Sequence, residues 1–208
     1  MQLLANTTSP FVRIARAAMI EKGIDVEPTL VDPWADDERL RAANVATRVP
    51  TLVLDDGTPI SECTLIVQWL EVTRPAPDWP SVVGSPAQAA GVLSRAGIAI
   101  GAIEASTITI ITRKVTAPTL FDETPVGLRR RRTMVEGMLR LEALADAIAA
   151  PKGDFAPLLD AIAAVTLYDY QQLRYADQAW LPKTPKLQAL SEAWAARDSI
   201  RRTKPFIA

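Results

Sequence analysis

The spacing of apolar and polar positions changes character once along this chain. Up to residue 73, short apolar runs alternate with stretches of helical period. Beyond a proline-rich break, the helical period continues to the end. Leu3-Leu4-Ala5 precedes the turn-like Asn6-Thr7-Thr8 and predicts a first strand. Ser9-Pro10 has the form of a helix start, with Ser as N-cap and Pro at the first helical position. Phe11, Ile14, Ala15, Ala18 and Met19 follow as one apolar face, and Gly23 stands where a helix C-terminus favours a left-handed residue. Ile24 to Val31 predicts a second strand, and residues 36–43 a short helix. Asp55-Asp56-Gly57 between Thr51-Leu52-Val53-Leu54 and Thr58-Pro59-Ile60-Ser61 is a hairpin signal. A third helix follows, with Leu65, Ile66, Trp69 and Leu70 predicted inward. The order β-α-β-α-β-β-α over residues 1–73 is that of a thioredoxin-like α/β domain.

Arg74-Pro75-Ala76-Pro77-Asp78-Trp79-Pro80 reads as a linker, assigned to residues 74–84. Residues 85–208 then predict an all-helical C-terminal domain. Ser85-Pro86, Thr124-Pro125 and Thr184-Pro185 each repeat the cap-then-proline start. Met134, Met138, Leu141, Leu144 and Ile148 form one apolar stripe, and Gly97 and Gly101 predict a close approach between helices. Ala96 to Thr112 is the most apolar stretch. It contains Glu104, lies between Arg95 and Arg113, and predicts a buried helix rather than a bilayer span. A small-molecule site is expected where the two domains meet.

Composition narrows the chemistry. Hydrophobic residues make up 49% of 208 residues and charged residues 23%, enough apolar material for packed cores. The formal net charge of −1 supplies no basic field for a nucleic-acid backbone. The run Arg129–Arg132 covers all sides of a helix and predicts a solvated surface. A single cysteine, Cys63, rules out an intrachain disulfide and suits a reducing, cytoplasmic location. With no histidine in the chain, Ser–His and Cys–His catalysis and His-based metal sites are excluded, and no metal is expected. Neither a signal peptide nor a membrane association is expected from the N-terminal residues.

Three positions carry candidate chemistry. Ser9, at a helix start beside the end of a strand, either caps the helix or donates a hydrogen bond to a thiolate. Thr7 and Thr8 stand beside it as alternative donors. A cis Val49-Pro50 bond would leave the Val49 backbone free to pair with an extended peptide, although proline is also ordinary at a strand start. Glu62-Cys63 opens the third helix, where backbone N–H groups favour an anion. Glu62 either holds an ammonium group or complements the helix dipole.

Taken in order, these segments resemble the cytosolic glutathione transferases, over nearly the whole chain. Thr8-Ser9-Pro10-Phe11-Val12-Arg13 with Glu21-Lys22-Gly23-Ile24 is similar to bacterial and plant members of the serine type. Arg48-Val49-Pro50-Thr51-Leu52, the hairpin Asp56-Gly57, Ile60-Ser61-Glu62-Cys63, and the ending Arg197-Asp198-Ser199-Ile200 to Thr203-Lys204-Pro205 resemble further family segments. The resemblance implies that Ser9 donates to the glutathione sulfur. It implies that Val49 pairs its backbone with the cysteinyl part ahead of a cis Pro50. Glu62 would bind the γ-glutamyl ammonium, Cys63 its carboxylate, and Arg48 the glycine carboxylate, with Phe11 completing the set. Glutathione would be the co-substrate and an apolar electrophile its partner, in a homodimeric detoxification enzyme. Ile103, Thr107, Ile110 and Ile111 are candidates for the electrophile site. The alternatives are a non-catalytic member of the fold and, less favoured because Ser9 replaces the necessary cysteine, a thiol–disulfide oxidoreductase. Two positions depart from the family pattern. Cys63 stands where Ser or Thr is usual, and Pro157 replaces the Ser/Thr of a capping box that retains Asp160.

Overall fold

The first residues able to pair, Gln2–Ala5, form β1, and the helix predicted after Ser9 is α1 (Pro10–Glu21). The computed structural model describes residues 1–116, 121–151, 153 and 155–206. After α1 come β2 (Pro28–Leu30), α2 (Glu38–Ala43), β3 (Thr51–Val53), β4 (Pro59–Ser61) and α3 (Cys63–Thr73). Among the described residues the sheet has four strands in the order β2-β1-β3-β4, with β1 parallel to β2 and the other pairs antiparallel. This is the thioredoxin-like arrangement that the order of elements predicts.

The second strand is shorter than the 24–31 run suggested. Ile24 is buried beyond the end of α1, and pairing with β1 begins at Pro28. In α1, burial extends past the predicted stripe: Val12 and Ala17 join Ile14, Ala15, Ala18 and Met19 in the core, while Phe11 is half-buried. In α3, Ile66 and Leu70 are buried as predicted, but Leu65 is 51% exposed and Trp69 only half-buried, while Cys63 and Val67 are buried, so the inward face is rotated toward Cys63 and Val67.

The chain divides into two compact units, residues 1–84 with 196–208, and residues 85–195. The ending, expected with the helical domain, groups with the first unit instead. Arg197 donates to the buried Glu21 carboxylate at the end of α1 (Nε 2.9 Å, Nη2 2.6 Å), and Ser199 and Ile200 of α8 (Asp198–Arg201) are buried. Such partners 176 residues away leave no periodic trace in the sequence.

The helical unit contains α4 (Pro86–Thr116), α5 (Pro125–Leu144), α6 (Leu159–Tyr175) and α7 (Pro185–Trp194). By length and composition α4 meets the requirement for a membrane span, being longer than the apolar stretch that had marked it. Its buried residues, among them Val92, Ala99, Ile103 and Thr109, lie in a helix that packs against α5 and α6. The close helix approach also falls elsewhere than predicted. A Cβ at Gly97 or Gly101 would meet nothing, whereas one at Gly137 in α5 would sit 2.8 Å from Ala102 Cβ in α4.

Candidate functional site

The register of the sheet decides which loops meet. Leu4 in β1 is opposite Thr51 in β3, and Thr51 is opposite Ser61 in β4. The residues after β1, before β3 and after β4 therefore leave the sheet at one end. Those residues include Ser9, Arg48, Val49, Pro50, Glu62 and Cys63, so six predicted positions from three distant segments share that end. Phe11 follows one turn into α1.

Ser9 is the N-cap of α1. Its Oγ accepts from the Val12 N–H (3.2 Å), and its own N–H donates to Asn6 Oδ1 (2.8 Å). A serine hydroxyl carries one donor and two acceptor sites. Capping uses an acceptor and leaves the donor for another group, so the two roles considered for Ser9 are compatible.

The Val49–Pro50 bond is cis. The turn before it is pinned by Asn44, which donates to the Arg48 carbonyl (3.2 Å) and to Thr51 Oγ1 (3.1 Å), while Thr51 Oγ1 donates to the same carbonyl (2.9 Å). Val49 is half-buried, and no hydrogen bond among the described residues engages its N–H or C=O. That backbone is available to an extended ligand.

Glu62 precedes α3 with φ 72° and ψ 130° and makes no side-chain cap. A non-glycine residue at positive φ costs on the order of 1–3 kcal/mol and gathers at binding and catalytic positions. Its carboxylate is 48% exposed and lies 3.5 Å from Arg48 Nη1. Together they present a negative and a positive group side by side.

Cys63 is buried, and burial followed by the Glu62 charge pushes its thiol up to about 12. It is a neutral thiol within the core, and at an exposure of 2% it offers little surface to a carboxylate. Thr64, the next residue, is exposed at the first turn of α3, and its hydroxyl is a donor absent from the expected set. The signal was the Cys63-Thr64 pair, in which a hydroxyl lies one position later than expected. In the helical unit, Ile103 is fully buried and presents no surface to a substrate, while Thr107, Ile110 and Ile111 are half-buried.

A four-stranded β2-β1-β3-β4 sheet with a cis-proline before β3 defines the thioredoxin-like class of folds. Residues 8–73 match the family model of the glutathione S-transferase N-terminal domain. The chain is 27% identical over 206 residues to an uncharacterized GST-like protein, YibF, of Escherichia coli, covering 99% of this chain and 98% of that one. It is 37% identical over 75 residues to a probable glutathione S-transferase, BZ2, of Zea mays, a segment covering 34% of this chain and 31% of that one. Among solved structures, a glutathione S-transferase of Methylobacterium radiotolerans in complex with glutathione sulfonate superposes with a TM-score of 0.84 at 26% identity, over 100% of this chain and 95% of that one. Residues 8–73 thus match a glutathione S-transferase N-terminal domain, and nearly the whole chain is similar to a GST-like protein and to a solved glutathione S-transferase.

Proposed function

We propose that this protein is a serine-type glutathione transferase, which joins the glutathione thiolate to an electrophilic carbon of a small molecule. The observation that carries the reading is the convergence of Ser9, Val49 and Glu62 at one end of the sheet. Val49 offers its unengaged backbone to the cysteinyl part of the tripeptide. Glu62 takes the γ-glutamyl ammonium, the α3 N–H groups with the Thr64 hydroxyl take its carboxylate, and Arg48 takes the glycine carboxylate. The remaining hydrogen of Ser9 then points its hydrogen bond at sulfur, favouring the thiolate. The family relation and a relative with a bound glutathione analogue support this reading. The enzyme acts as a cytoplasmic homodimer in detoxification. Each unit by which the thiol pKa falls is worth about 1.4 kcal/mol. Calorimetry of glutathione binding, followed by turnover with a chloronitrobenzene, tests the proposal. Folded protein that releases no heat with millimolar glutathione overturns it.

The burial of Cys63 favours a second reading, a non-catalytic member of the family, because the side chain at that position supplies no hydroxyl. Retention on a glutathione column without turnover of any electrophile would select it.

A further inference from the structure

The chain between α2 and β3 carries Arg48 and Val49, but the fold gives it little apolar anchorage. Val49 packs partly on the Leu4, Val31 and Leu40 cluster, while Val45 is 95% exposed and Ala46 and Arg48 are exposed. Thr47 stands at a φ of 49°, a left-handed conformation that a β-branched residue holds only where its surroundings impose it. Those surroundings centre on Asn44, which is buried and ends α2 with its N–H on the Leu40 carbonyl (2.7 Å). The Asn44 carbonyl accepts from the Thr47 N–H (2.8 Å), and its Oδ1 accepts from the Ala46 N–H (3.0 Å). Its Nδ2 donates to Thr51 Oγ1 and to the Arg48 carbonyl, and Thr51 Oγ1 donates to that same carbonyl. Two buried side chains therefore hold the Arg48 oxygen inward. That oxygen belongs to the same peptide group as the Val49 N–H. The Arg48–Val49 peptide is trans, and in a planar trans peptide the N–H points opposite to the C=O. Holding the oxygen inward thus aims the unengaged Val49 N–H outward.

We propose that Asn44, with Thr51, is a positioning residue for glutathione: it sets the direction of the Val49 N–H and so the affinity for the tripeptide, without touching it. The inference rests on the transferase reading, in which Val49 pairs with the cysteinyl part, and adds the residues that orient that group. Without the inward bonds, the Arg48–Val49 peptide can turn about its flanking dihedrals. Glutathione would then have to order it on binding, and that cost falls on affinity. Chemistry at the sulfur depends on a different segment. Ser9 is fixed by Val12 and Asn6, and neither bond involves Asn44 or Thr51. Loss of the Asn44 amide therefore weakens glutathione binding and leaves the rate from the bound state unaffected.

The test measures glutathione Kd by calorimetry, and glutathione KM and kcat with a chloronitrobenzene, for the full chain and two variants. Asn44→Asp keeps the acceptor for Ala46 and removes both Nδ2 donors, while the uncharged Thr51→Val keeps the shape and removes one hydroxyl. Kd and KM are expected to rise about tenfold in Asn44→Asp and about threefold in Thr51→Val, with kcat at saturating glutathione within about twofold of the wild type. Wild-type Kd in both variants, or a lowered kcat with Kd unchanged, would overturn the positioning role and leave the transferase reading standing. Where Asn44→Asp does not fold, Thr51→Val decides by the same criterion. Wild-type protein that binds no glutathione would overturn the transferase reading, and the proposal with it.

Discussion

At the scale of single residues, Ser9 combines two jobs that substitutions can separate. Ser9→Ala removes the cap on Val12 as well as the donor. It should cost about 1 kcal/mol of stability and lower turnover by at least about tenfold. Ser9→Asp keeps a capping oxygen but places a negative charge beside the sulfur. It should restore the stability and not the turnover, read by urea unfolding alongside conjugation rates. A Ser9→Asp enzyme as active as the wild type would remove Ser9 from the mechanism. Cys63 makes a separate prediction. Because its thiol is raised to about 12, it stays protonated in the folded protein at pH 8. A chromogenic disulfide reagent should therefore leave the native protein unlabelled and titrate one thiol after unfolding in urea. Rapid labelling of the native protein would contradict that burial.

At the scale of elements, the helix starts show what a residue pattern can and cannot convey. Thr124 caps α5 through the Gly127 N–H (3.1 Å), as its sequence implied. Thr184 makes no such bond, and the Glu142 carboxylate of α5 accepts from the Lys186 and Leu187 N–H groups of α7 instead (2.9 and 3.0 Å). Asp160 likewise takes a distant partner in place of the missing capping box. It is almost fully buried in the first turn of α6, where Arg95 Nε and Nη2 reach its Oδ2 at 2.8 and 2.7 Å. Burial raises the Asp160 carboxyl above its ordinary range, and Arg95 works against that rise. Arg95→Ala would leave a buried carboxylate uncompensated, and should destabilise the protein by about 3–5 kcal/mol in chemical unfolding. Gly23, just past α1, has φ +69°, and a Cβ there would overlap the Trp79 indole. Gly23→Ala should cost at least about 1–2 kcal/mol from the left-handed backbone alone.

Over the whole molecule, fixed carboxylates tie remote stretches of chain together, and they set the response to acid. Lys22 is fully buried and reaches Glu71 Oε1 at 2.7 Å, while Glu71 also accepts from the Val82 N–H (3.0 Å) and Ser81 (2.8 Å). Burial alone would raise the Glu71 carboxyl, but Lys22 and the two hydrogen bonds outweigh it, so its pKa is lowered. Asp122 is lowered chiefly by its hydrogen bonds from Arg113. A carboxyl depressed in the folded state adds stability that is complete above its unfolded value near 4, and that drains as pH falls through the folded value. Asp160, being raised, has the opposite sign. Urea midpoints should therefore hold between about pH 7 and 5 and fall below about pH 4, with Glu71→Gln showing a smaller fall than the wild type. An equal acid response in that variant would remove Glu71 as a contributor.

The local signals in the chain were sufficient for the order of elements, the start of α1 at Ser9-Pro10, the Asp-Gly hairpin and the segments that make up the candidate site. Each of these depends on backbone preferences within a few residues. Tertiary structure decided what depends on neighbours remote in sequence. It shortened the second strand to what β1 could pair, turned Leu65 outward and Val67 inward, and moved the tight helix approach from Gly97 and Gly101 to Gly137. It buried the Cys63 thiol and attached the ending of the chain to the first unit through Glu21. Residue type and spacing specify conformation because the backbone responds to its immediate side chains. Burial and charge pairing answer to whatever the fold brings alongside, and that is absent from any short window of sequence.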